Sequence, residues 1–443
     1  LYDWLKKYDP AKRPHVNLND EHVKNGISLA YLAFSKKQKQ KCIEVSDFSP
    51  KLIQSITSNK TGSAGLTAWG QTKAESFTRA YERGVQVILE DKAPEPCIAF
   101  KRTQVKGKTR LVWGFPYSMT AIEGLFARPL INHFLNNMTP MSFGKTTGYM
   151  GCELRTASYQ NKWAYATDMS SFDSSISEEL IKTAFSILST WFDMEQEIWV
   201  TPQSKVKIGS IWKKVVAYFL TTPIVMPDGN LYKGKRHGVP SGSYFTQMVD
   251  SIVNTIIVGA ISSKFKMSIP LKHIMVLGDD VIFWSNRDID LNRLADYASK
   301  TFSATFNPAK CDKFKYDETV KYLGRYWTNG VPDLPQGEIL SKITQPERFR
   351  KYSKDPDERA RQVRLLLLSY ASVYRSGYKL FLSVISGGRL FNRTNDVTEF
   401  YAIGSDGADS MRKFIDKHGS GLQRYLTKYV FNEDWGVSSS ALT

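Results

Sequence analysis

The sequence predicts an α+β fold in which an antiparallel sheet is flanked by helices. Three observations lead there. "NKWAYATDMSSFD" (Asn161 to Asp173) reads as a short strand ending at its acids, and "SEELIKTAFSILSTWF" (Ser177 to Phe192) follows with Leu180, Ala184, Ile187 and Leu188 at helical spacing. "HIMVLGDDVIFW" (His273 to Trp284) reads as two apolar strands joined by a Gly278-Asp279 turn, with glycine where a type II′ hairpin needs it. A helix at about Leu291 to Phe302 and the short strand "KYLGRYW" come next. Strand, helix, hairpin, helix and strand in that order make an antiparallel sheet with helices on one face.

The remaining elements follow in order. Residues 1 to about 95 read mostly helical with polar breaks; "SKKQKQK" (Ser35 to Lys41) is a solvated basic face and "TGSAGLTAWG" (Thr61 to Gly70) a glycine-rich loop. "CIAFKRTQVKGKTRLVWGF" reads as strand, basic turn, strand. Glu178 and Glu179 suit a helix N-terminus, although Ser177-x-x-Leu180 is not a full capping box. "TTPIVMPDGNLYKGK" is a hairpin on Pro227-Asp228-Gly229, and "SGSYFTQMVDSIVNTIIVGAI" is a helix entered through a Ser-Gly loop. Beyond about Thr344 the chain reads as helix-rich.

Composition bounds the function. The 443 residues are 42% hydrophobic, 13% aromatic and 23% charged, as in a globular chain of two or three subdomains. Lys plus Arg number 60 against 43 Asp plus Glu, a net charge of +17 that favours a polyanionic partner, nucleic acid before membrane. Cys42, Cys97, Cys152 and Cys311 are far apart and form no CxxC pair, so neither a zinc site nor a disulfide framework is signalled and a reducing compartment fits. No apolar run is expected to approach the ~20 residues of a bilayer span, and no signal peptide is read at the start. A chain opening on Leu1 is expected to be a processed or trimmed product.

The acids carry the chemistry. Asp168 ends one strand and Asp279 sits at a hairpin tip; if those strands are neighbours, the two meet at the sheet edge and Asp280 adds to the same charge density. Clustered carboxylates with no basic residue in either motif call for hard divalent cations, Mg²⁺ or Mn²⁺. Two ions about 4 Å apart serve in-line phosphoryl or nucleotidyl transfer. Lys101, Arg102, Lys106, Lys108 and Arg110 lie together with no intervening acid, and the last three alternate, so one strand face presents them to phosphate oxygens. The loop at Ser241 and Gly242 opens a helix whose Thr246, Asp250 and Asn254 share one face.

In order, the chain carries "KTRLVWG", "DMSSFD", "GVPSGSYFTQMVDSIVN", "LGDD", the lysine-bearing "NPAKCDKF" and "YLGRYW". This ordered set, spanning roughly residues 60 to 330, resembles that of viral RNA-dependent RNA polymerases, and "GVPSGSYFTQMVDSIVN" is most similar to those of small double-stranded RNA viruses of the partitivirus and picobirnavirus kind.

The resemblance implies a right-hand fold: an N-terminal region and fingers (1–162), palm (163–195), a fingers insertion (196–237), palm again (238–343), and thumb with a C-terminal tail (344–443). It implies that Asp168 binds two Mg²⁺ or Mn²⁺ ions, that Asp279 binds the one activating a primer 3′-OH, and that Asp280 supports them. Arg110 would contact the NTP triphosphate, with Lys101, Arg102, Lys106 and Lys108 beside it. Asp173, Ser241, Gly242, Thr246, Asp250 and Asn254 would line the ribose. Many relatives carry Asn at the position of Asp250, so the ribose reading departs from their pattern here. Lys310 falls where a general acid for pyrophosphate is expected, with Lys313 as its rival. Ser63, Ala64 and Gly65 would touch template, and Tyr322, Leu323, Gly324 and Arg325 would grip primer. The implied partners are RNA template and product, NTPs and the viral capsid protein, in the virion interior and host cytoplasm. Two other readings compete. A reverse transcriptase shares the carboxylate layout, but Leu277-Gly278 before the acids and the Ser-Gly-x₃-Thr stretch count against it. A non-catalytic basic RNA-binding or capsid-interior protein leaves the strand-end acids without a reason.

Overall fold

The computed structural model describes residues 1–103, 109–136, 139–306, 311–345, 354–371 and 373–386. The described residues divide into two units: one lies within Leu1–Arg102, Thr109–Lys145 and Ala157–Tyr316, and the other holds Thr146–Thr156 and the described residues from Asp317 to Ser386.

In the first unit, Asp20 caps helix α1 (Glu21–Phe34) by accepting from the His22 and Val23 amides. Val23, Gly26, Ala30 and Phe34 form its buried stripe. Strands β1 (Cys97–Thr103) and β2 (Thr109–Gly114) lead into helix α2 (Tyr117–Asn136), which is buried along its first half. Strand β3 (Trp163–Thr167) is followed by helix α3 (Glu178–Ser189), which starts where the Ser177 side chain accepts from the Leu180 amide. The short strands β4 (Ile224–Val225) and β5 (Leu231–Tyr232) form the expected hairpin, with Gly229 at φ +82° in its turn. Helix α4 (Thr246–Phe265) then runs through the core, buried at every residue from Met248 to Ile261.

Helix α4 corrects the membrane expectation. An 18-residue window of this 20-residue helix has a mean hydropathy of 1.3, so the helix is long and apolar enough by length and composition to cross a bilayer. Asp250, Ser251, Asn254 and Thr255 interrupt the apolar run, yet the average over that window stays high. Here 78% of that stretch is buried inside the protein. Against α1 the packing reaches backbone contact: a Cβ at Gly26 would overlap the Ile256 carbonyl, and one at Gly259 would lie 2.8 Å from the Gly26 Cα.

Strands β6 (Ile274–Leu277) and β7 (Asp280–Ser285) form the hairpin expected at Gly278-Asp279. Helix α5 spans Leu291–Phe302, and strand β8 covers Asp312–Lys315. The central sheet has the order β8-β3-β7-β6 and is antiparallel throughout. A second sheet has the order β2-β1-β4-β5, in which β1 and β4 run parallel.

In the second unit, "KYLGRYW" is a hairpin and not the single strand read from sequence. Tyr322 ends β9 (Val320–Tyr322) and pairs with Arg325, the first residue of β10 (Arg325–Thr328). Leu323 and Gly324 turn the chain with φ of +51° and +66°, the signs a type I′ turn requires. Strand β11 (Val331–Asp333) completes the sheet, and helices α6 (Gln336–Thr344), α7 (Pro356–Ala371) and α8 (Arg375–Ser386) follow. They close over Ile339, Ile343, Leu365, Leu368, Tyr378 and Phe381.

Candidate active site

Register assembles the acids. Thr167 pairs with Val281 across β3 and β7, so the next positions outward are Asp168 and Asp280, with Asp279 in the adjoining turn. All three are exposed at this edge. The Asp168 backbone is tied to β8's side of the sheet: its amide donates to the Cys311 sulfur at 3.4 Å, and the Cys311 thiol lies 3.7 Å from the Asp168 carbonyl oxygen, to which it donates.

The turn is held from beneath by α4. Gly278 has φ +63° while Asp279 does not enter the positive-φ region, which agrees with the type II′ turn read from sequence. The Gly278 amide donates to Ser251 Oγ at 3.0 Å, and Asn254 Nδ2 donates to the Gly278 carbonyl at 2.6 Å. Both backbone groups of the glycine are therefore satisfied by one helix. Asn254, expected at the ribose, spends its amide here and is fully buried.

Below the edge lies a second acidic group. Asp250 is 3% exposed, and its Oδ1 has no hydrogen-bond partner among the described residues. Burial, then the charges of Asp173 and Asp279, push its carboxyl well above the usual range. Asp173 is half-buried; burial and Asp279 push it up to about 6, and the Arg110 guanidinium opposes them. Tyr8 packs edge-on to Trp113 with ring centroids 5.2 Å apart, and its hydroxyl donates to the Val239 carbonyl. The Val239 amide in turn donates to the Asp173 carbonyl at 2.6 Å. Sequence reading had no means of placing Tyr8 here.

The Ser-Gly loop sits on β2. Ser241 Oγ accepts from the Trp113 amide at 3.4 Å, and a Cβ at Gly242 would overlap the Trp113 carbonyl, so only glycine fits. Thr246 donates its hydroxyl to the Pro240 carbonyl. The strand that seats this loop also carries the exposed Arg110, while Lys101 and Arg102 are exposed on β1. Lys106, Lys108 and Lys310 lie outside the described residues. Lys313 is engaged by Asp288 at 2.6 Å.

Of the expected template residues, Ser63 is exposed, whereas Ala64 and Gly65 are buried and fix the loop: the Tyr117 amide donates to the Ala64 carbonyl, and Gly65 has φ +105°. In the second unit Tyr322 is buried, Leu323 and Gly324 form the turn, and Arg325 donates to Thr147 Oγ1 at 3.0 Å. Ser251 and Glu123, beside the site, were missed as well. Glu123 had a signal: it is a lone acid inside the apolar run "MTAIEGLF".

Carboxylate oxygens at this edge suit a hard divalent cation. Among the described residues no three His, Cys, Asp or Glu side chains are gathered tightly enough to enclose one, so the acids line an open edge.

Residues 99–385 match the family described as viral RNA-dependent RNA polymerase. The chain belongs to this family. It is 30% identical over 302 residues to the RNA-directed RNA polymerase of Cryptosporidium parvum virus 1, covering 64% of this chain and 53% of that relative. It is 22% identical over 290 residues to that of white clover cryptic virus 1, covering 60% and 46%. The chain thus spans about half the length of the curated relatives it matches. Its fold is similar to the crystal structure of the RNA-dependent RNA polymerase of a human picobirnavirus, with a TM-score of 0.68 at 16% identity over 100% of this chain and 82% of that one. It is also similar to the polymerase of a sicinivirus, with a TM-score of 0.64 at 15% identity over 83% and 80%. The fold class is therefore that of the right-hand RNA polymerases, with the resemblance to double-stranded RNA virus members that the motifs indicated. The family works generally with divalent metal ions.

Proposed function

We propose that the chain performs template-directed RNA synthesis, in which an RNA 3′-OH attacks the α-phosphate of an NTP and pyrophosphate leaves. The observation that carries the reading is the pairing of Thr167 with Val281, which puts Asp168 at the same sheet edge as Asp279 and Asp280. Asp168, Asp279 and Asp280 would hold two Mg²⁺ or Mn²⁺ ions, whose chemistry there is to acidify the 3′-OH and to neutralise charge at the phosphates.

The chain's own groups do the rest. Arg110, with Lys101 and Arg102 on the neighbouring strand, orients the triphosphate through forked, charge-assisted hydrogen bonds. Lys106 and Lys108 extend this set, and Lys310 is the proton donor to the leaving group. Asp173 and Asp250 face the ribose from the loop side, with Ser241 and Thr246 around them. Burial and two neighbouring carboxylates favour a neutral Asp250, which donates a hydrogen bond as the asparagine of many relatives does. Ser63, Ala64 and Gly65 belong to a template path, and Tyr322, Leu323, Gly324 and Arg325 to a primer grip. Fingers take residues 1–162 and 196–237, palm 163–195 and 238–343, and thumb 344–443. Viral genomic RNA is the template, replicated and transcribed in the host cytoplasm and within virions, with capsid protein as a partner.

The deciding experiment is incorporation of labelled NTPs on a short RNA template, with and without an annealed primer, with Mg²⁺ or Mn²⁺ and with a parallel dNTP reaction. Template-length RNA product, lost in Asp279→Asn, is expected. No product with either ion, equal product from Asp279→Asn, or preferential use of dNTPs would overturn the reading.

A further inference from the structure

We infer that Glu123 is a positioning residue for the nucleotide, holding the Ser241–Thr246 turn from behind through paired hydrogen bonds. The inference rests on the polymerase reading above.

Glu123 lies in α2 and is 0% exposed. One carboxyl oxygen is 2.8 Å from the Ser243 hydroxyl, and the other accepts from the Tyr244 amide at 2.9 Å. Ser243 Oγ also accepts from the Phe245 amide at 3.0 Å, so the contact reaches three consecutive residues. Thr246, where α4 begins, is the next residue. The opposite side of the same turn rests on β2 through Ser241 and Gly242. The turn is thus gripped on two sides, by a strand edge carrying Arg110 and by a carboxyl group from α2. Tyr244 is also anchored at its far end, where its hydroxyl donates to the Ile56 carbonyl at 3.2 Å.

Energetics argue for a specific role. No carboxyl group belongs in an apolar helix interior unless something there needs it. The Lys73 charge reaches Glu123, but no ion pair forms between them. What Glu123 satisfies is the turn's own buried polar groups, which a leucine of similar volume would strand. A side chain that served stability alone would leave nucleotide use unchanged when replaced. One that sets the turn's position alters NTP affinity and leaves RNA affinity alone.

The test uses the full chain with Glu123→Ala, Glu123→Gln, Ser243→Ala and the Glu123→Ala/Ser243→Ala double variant. Measurements are KM and kcat for NTP, RNA affinity by anisotropy, and amide exchange across residues 241–246. Loss of hydrogen bonds to a buried carboxyl group in Glu123→Ala is expected to raise KM for NTP about tenfold. RNA affinity should hold within about twofold, with faster exchange at Tyr244 and Phe245. Glu123→Gln keeps an acceptor for the Tyr244 amide and a donor for Ser243, so it should stay within about twofold of wild type. The double variant should be no worse than Glu123→Ala, because both lesions break the same contact. Unchanged KM in a folded Glu123→Ala protein overturns the inference. If that variant does not fold, unchanged KM and exchange in Ser243→Ala overturn it. A wild-type chain that incorporates no NTP defeats the polymerase reading instead, and the exchange measurement still decides whether Glu123 holds the turn.

Discussion

Asn254 donates its side-chain amide to the carbonyl of Gly278 at 2.6 Å, so a core helix fixes the turn that presents Asp279. Ser251, almost one helical turn earlier, takes the Gly278 amide and donates its own hydroxyl to the Gln247 carbonyl. These two hydrogen bonds fix the turn, and a loosened turn would move both acids with it. Displacements of about 1 Å at a reacting centre lower rates by as much as ~10²-fold. Asn254→Ala is therefore expected to lower kcat by one to two orders of magnitude, roughly, with RNA affinity little changed. Asn254→Asp should do at least as much harm, because it sets a carboxylate oxygen against a carbonyl oxygen. Steady-state kinetics on one template, with anisotropy for binding, check both.

Stability should fall on the alkaline side because of Glu123. Burial pushes its carboxyl up to about 8, against an ordinary value of 4.5. The folded state thus holds a proton that the unfolded state has already released, and stability declines as pH rises between those values, by up to ~1.4 kcal/mol per unit. Lys73, Ser243 and Tyr244 oppose the shift without cancelling it. Glu123→Gln carries no titrating group there. The stability difference between Glu123→Gln and wild type should therefore move in the variant's favour as pH rises from 5 to 8. Urea denaturation of the two proteins across that range measures it; a difference independent of pH would contradict the expectation.

How far the sequence reached depended on whether a feature is local. The Gly278-Asp279 hairpin, helix α5 and the Pro227-Asp228-Gly229 turn were legible because periodicity and turn chemistry are written in adjacent residues. Asp168 and Asp279 were placed correctly at strand ends, and their meeting required only that β3 and β7 be neighbours. The turn at Leu323 was not legible, since a leucine at φ +51° leaves no compositional mark. Neither was the use of Asn254, whose partner is a backbone carbonyl with no identity of its own. Asp250 was read as a polar group on a helix face. Its burial is set by residues distant in the chain, and its charge reaches Tyr8 in the far N-terminal segment.

The crossing of α1 and α4 should tolerate no side chain. Gly259 approaches Gly26 so closely that a new Cβ would lie 2.8 Å from the Gly26 Cα and 3.1 Å from the Leu29 side chain. Helix backbone cannot yield as a flexible side chain does. Gly259→Ala gains helix propensity but overpacks the core, and the net effect should be destabilising by on the order of 1–3 kcal/mol. A shift in the urea midpoint at unchanged slope reads it.

Ribose selection should depend on Asp250 as a hydrogen-bonding group and not as a charge. Its Oδ1 lacks a partner among the described residues although the side chain is 3% exposed. Burial, then the charges of Asp173 and Asp279, push this carboxyl toward its neutral form. Neutral, it offers one donor and one acceptor, close to what an amide offers in the same volume. Asp250→Asn is accordingly expected to keep the wild-type ratio of kcat/KM for GTP over dGTP. Asp250→Ala removes both functions. A site built to hydrogen-bond a hydroxyl discriminates by leaving its own polar groups unpaired when the hydroxyl is missing, so removing those groups should narrow the ratio, mainly through lost GTP efficiency. Asp173→Ala should narrow it too, and should also leave Arg110 without the carboxylate that opposes its charge. The measurement is kcat/KM for both nucleotides on one RNA template with each variant. A ratio unchanged in both alanine variants would mean that this face does not read the sugar, and that Asp250 serves the packing of α4 alone.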